Sequence, residues 1–452
     1  MWISLSRPAP NNACKPGSCR ERRWCPASGD AKSTQGSSPN RSPGRGPRRG
    51  AHEENQVMNI APLKPSDESA ALALMSACFA EEPIEYFRSY HRLLPTGRPD
   101  VQLAAKVDDR LVGYIECQWV EHYFGDRTLP VANIGALCTH PEFRRRGIAR
   151  GLLKAALQRV DADRHPLTGL HAAIPEPYRE HGFWPVPHTE FVAEVPDSPP
   201  VPDRGTLFEP VADDDLDELF DLYRHENRQL LGPLVRTRRY FNGQHEWMSV
   251  LPREVAWETM RQIGRSVGYL RYRRESGSLK VLEVVASGRD RGRAVAARLL
   301  QQAHADGLGQ VRGRVSPRAP FVRGIEQLTA VEIRRGEGLM FRINNLDGLL
   351  AAVGPHLSLR RRTVAVTSPP VNLNVAGQVR SLSFPSAQAV FGPAVEDAPV
   401  VDLSEGEFLA LVFGCPDSAA ALQKGDLRVD SRAQLEAVFP EDGWVLWEAD
   451  HY

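Results

Sequence analysis

The chain has 452 residues, and its 56 basic side chains are balanced by 56 acidic ones. A net charge of zero gives no general attraction to nucleic acid or to an anionic membrane, so neither is an expected partner. No apolar run approaches membrane-spanning length, and the seven cysteines lack metal or disulfide-framework spacing. We therefore expect a reduced cytoplasmic protein without a bound metal, long enough for about two to four domains.

Residues 1–57 are rich in Arg, Ser, Pro and Gly and show no apolar periodicity. This composition predicts a disordered tail without a function of its own. It also resembles an organelle transit peptide. Another interpretation is that the tail is not translated and that the protein starts at Met58, where the pattern of a first strand and helix begins.

Between residue 58 and about residue 200, the apolar pattern switches between strand and helix periods. The predicted elements are a strand (59–63), a helix (69–79), a hairpin (101–107 and 111–120), a strand (131–138), a helix (148–160) and a strand (167–174). Asp108 and Asp109 form the predicted turn of the hairpin.

The junction between strand 131–138 and helix 148–160 carries the pattern Q/R-x-x-G-x-G/A, with Gly147 as its glycine. A glycine at this junction lets backbone N–H groups approach an anion without a Cβ in the way. The first N–H groups of the helix have no partner within it, and the helix dipole there favours negative charge. The pattern predicts a pyrophosphate site. The alternative is an ordinary basic helix start that happens to contain a glycine.

This stretch resembles the acetyl-CoA site of the GNAT family of N-acetyltransferases. The resemblance implies a mixed α/β fold with acetyl-CoA as co-substrate. It also implies that the loop holds the pyrophosphate and that the preceding strand contacts the pantetheine arm. The implied loop residues are Arg144, Arg145, Arg146, Gly147, Ile148 and Ala149, and the implied strand residues are Leu137, Cys138 and Thr139.

A second segment, residues 177–183, resembles the family pattern Y-x-x-x-G-F/Y, with Tyr178 as its tyrosine. In the family this tyrosine lies beside the coenzyme sulfur. A phenol within hydrogen-bond reach can protonate the departing thiolate, so Tyr178 is the predicted general acid. The alternative is a tyrosine that only packs its ring in the core.

The segment between the first two predicted helices lies where this family often builds its acceptor groove. Its candidate substrate-binding residues are Phe79, Glu81, Glu82 and Glu85. Three carboxylates would favour a cationic amine by charge complementarity. The alternative is a solvated acidic helix start.

Residues 200–338 repeat the order of elements seen in residues 58–199. Aligning the Leu-Leu pairs of the two long helices places Ala294 on Gly147. A methyl group there would obstruct phosphate approach. We therefore expect a degenerate GNAT-like domain that supports the first one and binds acetyl-CoA poorly.

Residues 339–452 resemble a sterol-carrier-protein-2-like module. Two GNAT-like domains followed by such a module resemble the enhanced-intracellular-survival (Eis) group. That resemblance implies acetylation of amines, a homo-oligomer (trimer or hexamer), and a chain terminus that enters the first active site. The terminal carboxylate, at Tyr452 here, would be the general base, whereas its aromatic neighbours could instead only close a core.

The predicted fold class is α/β (α+β), with a tail (1–57), a catalytic GNAT domain (58–199), a degenerate GNAT-like domain (200–338) and a sterol-carrier-protein-2-like domain (339–452). The predicted function is acetyl transfer from acetyl-CoA to a primary amine by direct attack in a ternary complex. An aminoglycoside, a polyamine or a lysine side chain would be the acceptor. The alternatives are a lipid-binding protein that works through the third domain and a non-catalytic sensor of acetyl-CoA.

Overall fold

The structure, a computed structural model, describes residues 58–80, 82–93, 100–203, 205–249, 254–317, 319–361, 369–385, 388–424, 427–439 and 443–450. Within these ranges no helix is long and apolar enough to cross a bilayer. The same ranges contain no group of three or more His, Cys, Asp or Glu side chains that could hold a metal ion. The predicted tail lies outside the described residues.

The elements follow one another in three groups along the chain. The first group is β1 (Met58–Pro62), α1 (Glu68–Cys78), α2 (Ile84–Leu93), β2 (Val101–Val107), β3 (Arg110–Phe124), β4 (Arg127–Thr139), α3 (Ile148–Ala162), β5 (Leu167–His171), α4 (Glu176–Arg179), β6 (Trp184–Pro185) and β7 (His188–Glu194). The second is β8 (Thr206–Pro210), α5 (Leu216–Asn227), β9 (Leu231–Leu234), α6 (Arg238–Ser249), β10 (Val255–Gln262), β11 (Arg265–Glu275), β12 (Ser278–Ala286), α7 (Arg289–Ala305), β13 (Gln310–Arg314), α8 (Pro320–Glu326), β14 (Val331–Gly336) and β15 (Leu339–Ile343). The third is α9 (Leu346–Arg361), β16 (Val371–Val375), β17 (Gln378–Ser383), β18 (Val390–Gly392), β19 (Val400–Leu403), α10 (Glu405–Val412) and α11 (Val429–Val438).

The described strands form three sheets, which confirms the mixed α/β class. The first sheet has the order β1-β2-β3-β4-β5-β15-β6, with β9 also paired to β3. The second has the order β14-β7-β13-β12-β11-β10-β8, and the third β18-β17-β16-β19.

The second sheet repeats the first. Strands β8, β10, β11, β12 and β13 follow the same order as β1 to β5, and in both sets only the last pair is parallel. A long helix, α3 or α7, follows the fourth strand in each set. The repeat expected from the sequence is therefore present in the fold.

Two strands cross the domain boundaries drawn from the sequence. β7 precedes residue 199 but pairs with β13 and β14 of the second sheet. β15, which was expected to open the third domain, instead pairs with β5 and β6 of the first sheet. Sequence order could not show this exchange, because an apolar strand does not specify which sheet edge it joins.

The first sheet is covered on both faces, and this arrangement positions the site. One face buries α3, with Ile148, Leu152 and Ala156 inward as their helical spacing predicts. Helices α1 and α2 cover the opposite face, where Tyr114 of β3 is fully buried. The predicted hairpin turn is confirmed, because Asp108 and Asp109 both have positive φ (49° and 64°).

Candidate active site

Gly147 begins helix α3 and leaves an open space above it. Its φ of 77° is the left-handed conformation that glycine adopts most readily. A Cβ placed there would meet nothing within 4 Å. Its carbonyl accepts the first helical hydrogen bond, from the Gly151 N–H at 2.9 Å. The N–H groups of the first turn therefore face space that an anion could fill.

Strand β4 is irregular just before this helix. One extra residue bulges out where Tyr114 pairs with Cys138 but Glu116 pairs with Gly135, and Ala136 there has a φ of 48°. The parallel pairing of β4 with β5 covers residues 131–133 and ends there. The two strands therefore separate along residues 134–139, which leaves room for an extended ligand beside the predicted contact residues.

The predicted coenzyme residues gather at this gap. Leu137 and Thr139 are half-buried, and the three arginines 144–146 are exposed at its mouth. Arg144 Nε donates to the Thr139 carbonyl at 3.4 Å. The Cys78 thiol donates to the same carbonyl at 3.4 Å. A hydrogen bond with the Cys138 thiol, together with the Arg144 charge, outweighs burial and lowers the pKa of Cys78 to about 7.

Tyr178 lies in the short helix α4, which follows β5, and belongs to the buried cluster that includes Ile148 and is packed against by Leu137. It is 4% exposed, and its ring packs edge-on against Phe183 with the centroids 6.0 Å apart. Burial raises the pKa of the phenol well above its ordinary value. Tyr178 therefore keeps its proton at neutral pH, which is the state that a general acid requires.

The predicted substrate residues differ in how far they are buried. Phe79 is buried and packs against Phe87 with the ring centroids 5.9 Å apart. Glu82 is half-buried, whereas Glu85 is exposed and 3.9 Å from Arg88. Glu81 lies outside the described residues.

A carboxylate outside the predicted set lies on the α1–α2 side of β3. Glu116 is fully buried, and its Oε2 lies 2.8 Å from His91 Nε2 of α2. The Tyr114 hydroxyl donates to the same oxygen at 2.9 Å, and Gln118 Nε2 donates to Oε1 at 3.4 Å. A Glu flanked by apolar residues within the strand was the available signal, but its partner is 25 residues away on another element.

Each member of this pair shifts the pKa of the other. Burial favours the neutral acid, but His91 and the hydrogen bonds outweigh it and lower the pKa of Glu116. Burial likewise disfavours the imidazolium, but the Glu116 charge outweighs it and raises the pKa of His91.

The end of the described chain is docked, as its aromatic residues predict. Trp444 is fully buried, and Trp447 Nε1 donates to the Asn227 side chain at 2.6 Å. Asp450 is buried and accepts two hydrogen bonds of 2.8 Å from Arg236. Tyr452 lies outside the described residues, so its predicted role stays a prediction.

The second repeat differs from its sequence alignment. The residue that begins α7 is Gly288, with a φ of 78°, whereas Ala294 is buried inside that helix. The alignment of Ala294 with Gly147 was therefore wrong, because α7 starts about six residues earlier than the aligned leucines imply.

The second repeat has a close helix contact near the start of α7. Helix α8 packs directly against α7: a Cβ at Gly292 would lie 2.5 Å from the backbone of Pro320, and one at Gly324 2.6 Å from the Arg293 nitrogen. These two glycines let the helix backbones touch in the first turn of α7. The space at Gly288 itself is open, because a Cβ there, like one at Gly147, would meet nothing within 4 Å.

Residues 59–186 match the family model of the Acetyltransferase (GNAT) domain. The matched segment contains the β4 gap, Gly147 and Tyr178. The first domain is thus a GNAT-type acetyltransferase domain, and the protein is an enzyme of that type.

Solved structures show the same fold over most of the chain. A GCN5-related N-acetyltransferase from Anabaena variabilis is 17% identical, with a TM-score of 0.66 over 88% of this chain and 100% of that one. One from Kribbella flavida is 19% identical, with a TM-score of 0.63 over 88% and 98%. Eis1 from Mycobacterium abscessus is 16% identical, with a TM-score of 0.59 over 88% and 100%. No curated protein matches the chain.

Proposed function

We propose that this protein transfers an acetyl group from acetyl-CoA to a primary amine. The observation that carries the proposal is the open, glycine-capped start of α3 beside the separated strands β4 and β5. Helix N–H groups suit a pyrophosphate, and an interrupted strand pairing suits an amide-bearing chain that needs backbone partners. Both features lie within the matched acetyltransferase domain.

Different residues of this site would bind different parts of acetyl-CoA. The first turn of α3, from Gly147 through Ala149, would hold the pyrophosphate, with arginines 144–146 neutralising its charge. The backbone of β4 from Leu137 to Thr139 would pair with the pantetheine arm. The thioester would then lie deeper in the gap, near the Ala136 bulge.

Transfer would occur by direct attack in a ternary complex. The amine lone pair attacks the thioester carbonyl carbon, and the C–S bond then breaks with its electron pair on sulfur. Tyr178, which burial keeps protonated, would protonate that sulfur. An acceptor amine with a pKa near 10.4 is an ammonium at neutral pH, so it must lose a proton before it attacks.

The acceptor class forms part of the proposal: an aminoglycoside, a polyamine or a lysine side chain. The half-buried Glu82 places negative charge on the α1–α2 side of the sheet, which complements a cation. Thiol release from acetyl-CoA across a panel of these amines tests the function. We expect release with cationic amines, and no release with any amine would contradict the proposal.

We also propose that residues 339–452 form a sterol-carrier-protein-2-like domain and that the chain is an oligomer of the Eis group. The third sheet with α9, α10 and α11 supports the domain assignment. The fold shared with Eis1 supports the group.

Acetyl-CoA should bind at one site per chain. The α8 backbone lies against the first turn of α7 at Gly292 and Gly324, where a phosphate would have to approach, although the space at Gly288 is open. A fully buried network of Arg236, Glu283 and Asp450 fills the α5–α6 side of its sheet as well. Isothermal titration with acetyl-CoA measures the stoichiometry, and two equivalent sites per chain would contradict this expectation.

Lengthening the chain beyond Tyr452, or deleting that residue, should suppress acetylation while acetyl-CoA still binds. The proposal is that the terminal carboxylate reaches the acceptor side of the first domain. Its support is that Asp450, two residues earlier, is anchored by Arg236, and that α6 in turn packs on α2 through Trp247 and Tyr86, with their rings 5.5 Å apart. An N-terminal extension is the control, and full activity of the lengthened enzyme would exclude this role.

A further inference from the structure

Two cysteine side chains meet where the end of α1 packs against β4, beside the gap between β4 and β5. Cys78 is the last residue of α1, and Cys138 is the last residue but one of β4. Their thiols are in hydrogen-bond contact. The scheme of acetyl transfer uses neither sulfur atom, so the contact between them needs another explanation.

The surroundings of Cys78 favour a reactive thiolate. Its side chain is half-buried, and its Sγ lies 3.4 Å from the Thr139 carbonyl, which also accepts a hydrogen bond from Arg144 Nε. The hydrogen bond with Cys138 and the charge of Arg144 outweigh burial and lower the pKa of Cys78 to about 7. Much of Cys78 is therefore thiolate at neutral pH, which is the form that attacks peroxides.

Cys138 has the complementary properties. It is 5% exposed, and burial is the largest cause of its raised pKa, so it keeps its proton near pH 7. The other two described cysteines, Cys117 and Cys415, are fully buried, and burial raises the pKa of both thiols. Among the described cysteines, Cys78 is thus the one suited to react first, and Cys138 is in place to react with it next.

We propose that Cys78 and Cys138 form a dithiol site that hydrogen peroxide oxidises to a disulfide. The Cys78 sulfur attacks one peroxide oxygen: an S–O bond forms, the O–O bond breaks, and the departing hydroxide takes up a proton. The Cys138 sulfur then attacks the Cys78 sulfur: the S–S bond forms, the S–O bond breaks, and the second hydroxide leaves with the Cys138 proton. The two thiols lose two electrons, and one peroxide is reduced to two molecules of water.

The disulfide would act on the segment proposed to hold the coenzyme, and this part of the inference rests on the proposed function. A disulfide holds its sulfur atoms about 2.05 Å apart, closer than a hydrogen bond does, so α1 and β4 must shift toward each other. Oxidised Cys78 also has no proton to donate to the Thr139 carbonyl. Both changes disturb residues 137–139, so the disulfide should weaken acetyl-CoA binding. By linkage, bound acetyl-CoA should favour the reduced pair.

The test is disulfide mapping of the full-length protein before and after one equivalent of hydrogen peroxide. Free thiols are alkylated, the protein is digested, and linked peptides are found by mass spectrometry. We expect a peptide linked through Cys78 and Cys138 that a thiol reductant separates. Isothermal titration of the same samples should show acetyl-CoA affinity about 5-fold or more weaker after oxidation, and recovery after reduction.

Three variants separate the two sulfur atoms from general oxidation. Cys78→Ser should keep its own acetyl-CoA affinity after peroxide treatment. Cys138→Ala should accumulate a sulfenic acid at Cys78, which dimedone traps. Cys117→Ala is the matched control, because Cys117 is a buried thiol on the neighbouring strand β3, and it should respond to peroxide as the wild type does.

Absence of the linked peptide in the wild type, or pairing of Cys78 with another cysteine, would overturn the dithiol site. Unchanged acetyl-CoA affinity in the oxidised protein, or an equal loss of affinity in Cys78→Ser, would overturn its link to the coenzyme. If Cys138→Ala does not fold, the wild-type map and Cys78→Ser decide together. A reduced wild type that binds no acetyl-CoA would instead refute the proposed function, whereas the disulfide map would still decide the dithiol site.

Discussion

Replacing Tyr178 with Phe should reduce turnover by about 10²–10⁴-fold while leaving the affinity for acetyl-CoA nearly unchanged. The substitution removes one proton donor and very little volume, and the ring contact with Phe183 persists. Because burial keeps the phenol protonated, the loss of turnover should be similar from pH 6 to pH 9 and should not be confined to the acidic or the basic limb of the pH profile. Steady-state kinetics with a saturating amine measure the ratio of the wild-type turnover number to that of the variant.

Tyr272→Phe is the matched control for this experiment. Tyr272 is equally buried but lies in the second sheet, where its hydroxyl donates to Glu258 at 2.7 Å. Its removal should change stability slightly and turnover little. If Tyr178→Phe retained wild-type turnover, Tyr178 would be a packing residue only.

Replacing Gly147 with Val should weaken acetyl-CoA binding on the order of 100-fold or more. The added side chain meets no protein atom, so it would stand in the space proposed for the pyrophosphate. The φ of 77° is also unfavourable for a β-branched residue. The backbone would therefore relax after the substitution and shift the first N–H groups of α3. Losing two charge-assisted hydrogen bonds accounts for a change of this order. Isothermal titration measures it.

Gly277→Val separates backbone strain from loss of the site. Gly277 has a φ of 74°, and a Cβ there would also meet nothing within 4 Å, but it lies in the turn between β11 and β12. This variant should lose stability while binding acetyl-CoA normally. Unchanged affinity in a folded Gly147→Val variant would exclude the proposed pyrophosphate site.

The sequence predicted the local parts of the fold better than their connections. The Asp108-Asp109 hairpin and the buried face of α3 depend on neighbours within a few residues, and both are confirmed. The capping box at the start of α10 is equally local, since the Ser404 and Glu407 side chains each accept a hydrogen bond from the other's backbone N–H. The exchange of β7 and β15 between sheets depends on partners more than 100 residues away, which no periodicity encodes.

The same contrast between local and long-range features applies to the candidate site. The glycine at the start of α3 and the tyrosine of α4 stand out because each belongs to a short contiguous pattern. Glu116 and His91 do not, because a pair 25 residues apart becomes visible only when α2 packs on the sheet. The Ala294 alignment failed for a related reason: a helix rich in Ala, Arg and Leu has no unique register in sequence.

The most direct test of the account is to measure product and thiol together in a single reaction of acetyl-CoA with a polyamine. Mass spectrometry of the amine and a thiol assay of the same sample give the two quantities. The account predicts N-acetylated amine equal to the thiol released, in the wild type and the Gly277→Val control, and far less of both products in Gly147→Val at the same sub-saturating acetyl-CoA concentration. Thiol released without acetylated amine, or equal product in Gly147→Val, would contradict it.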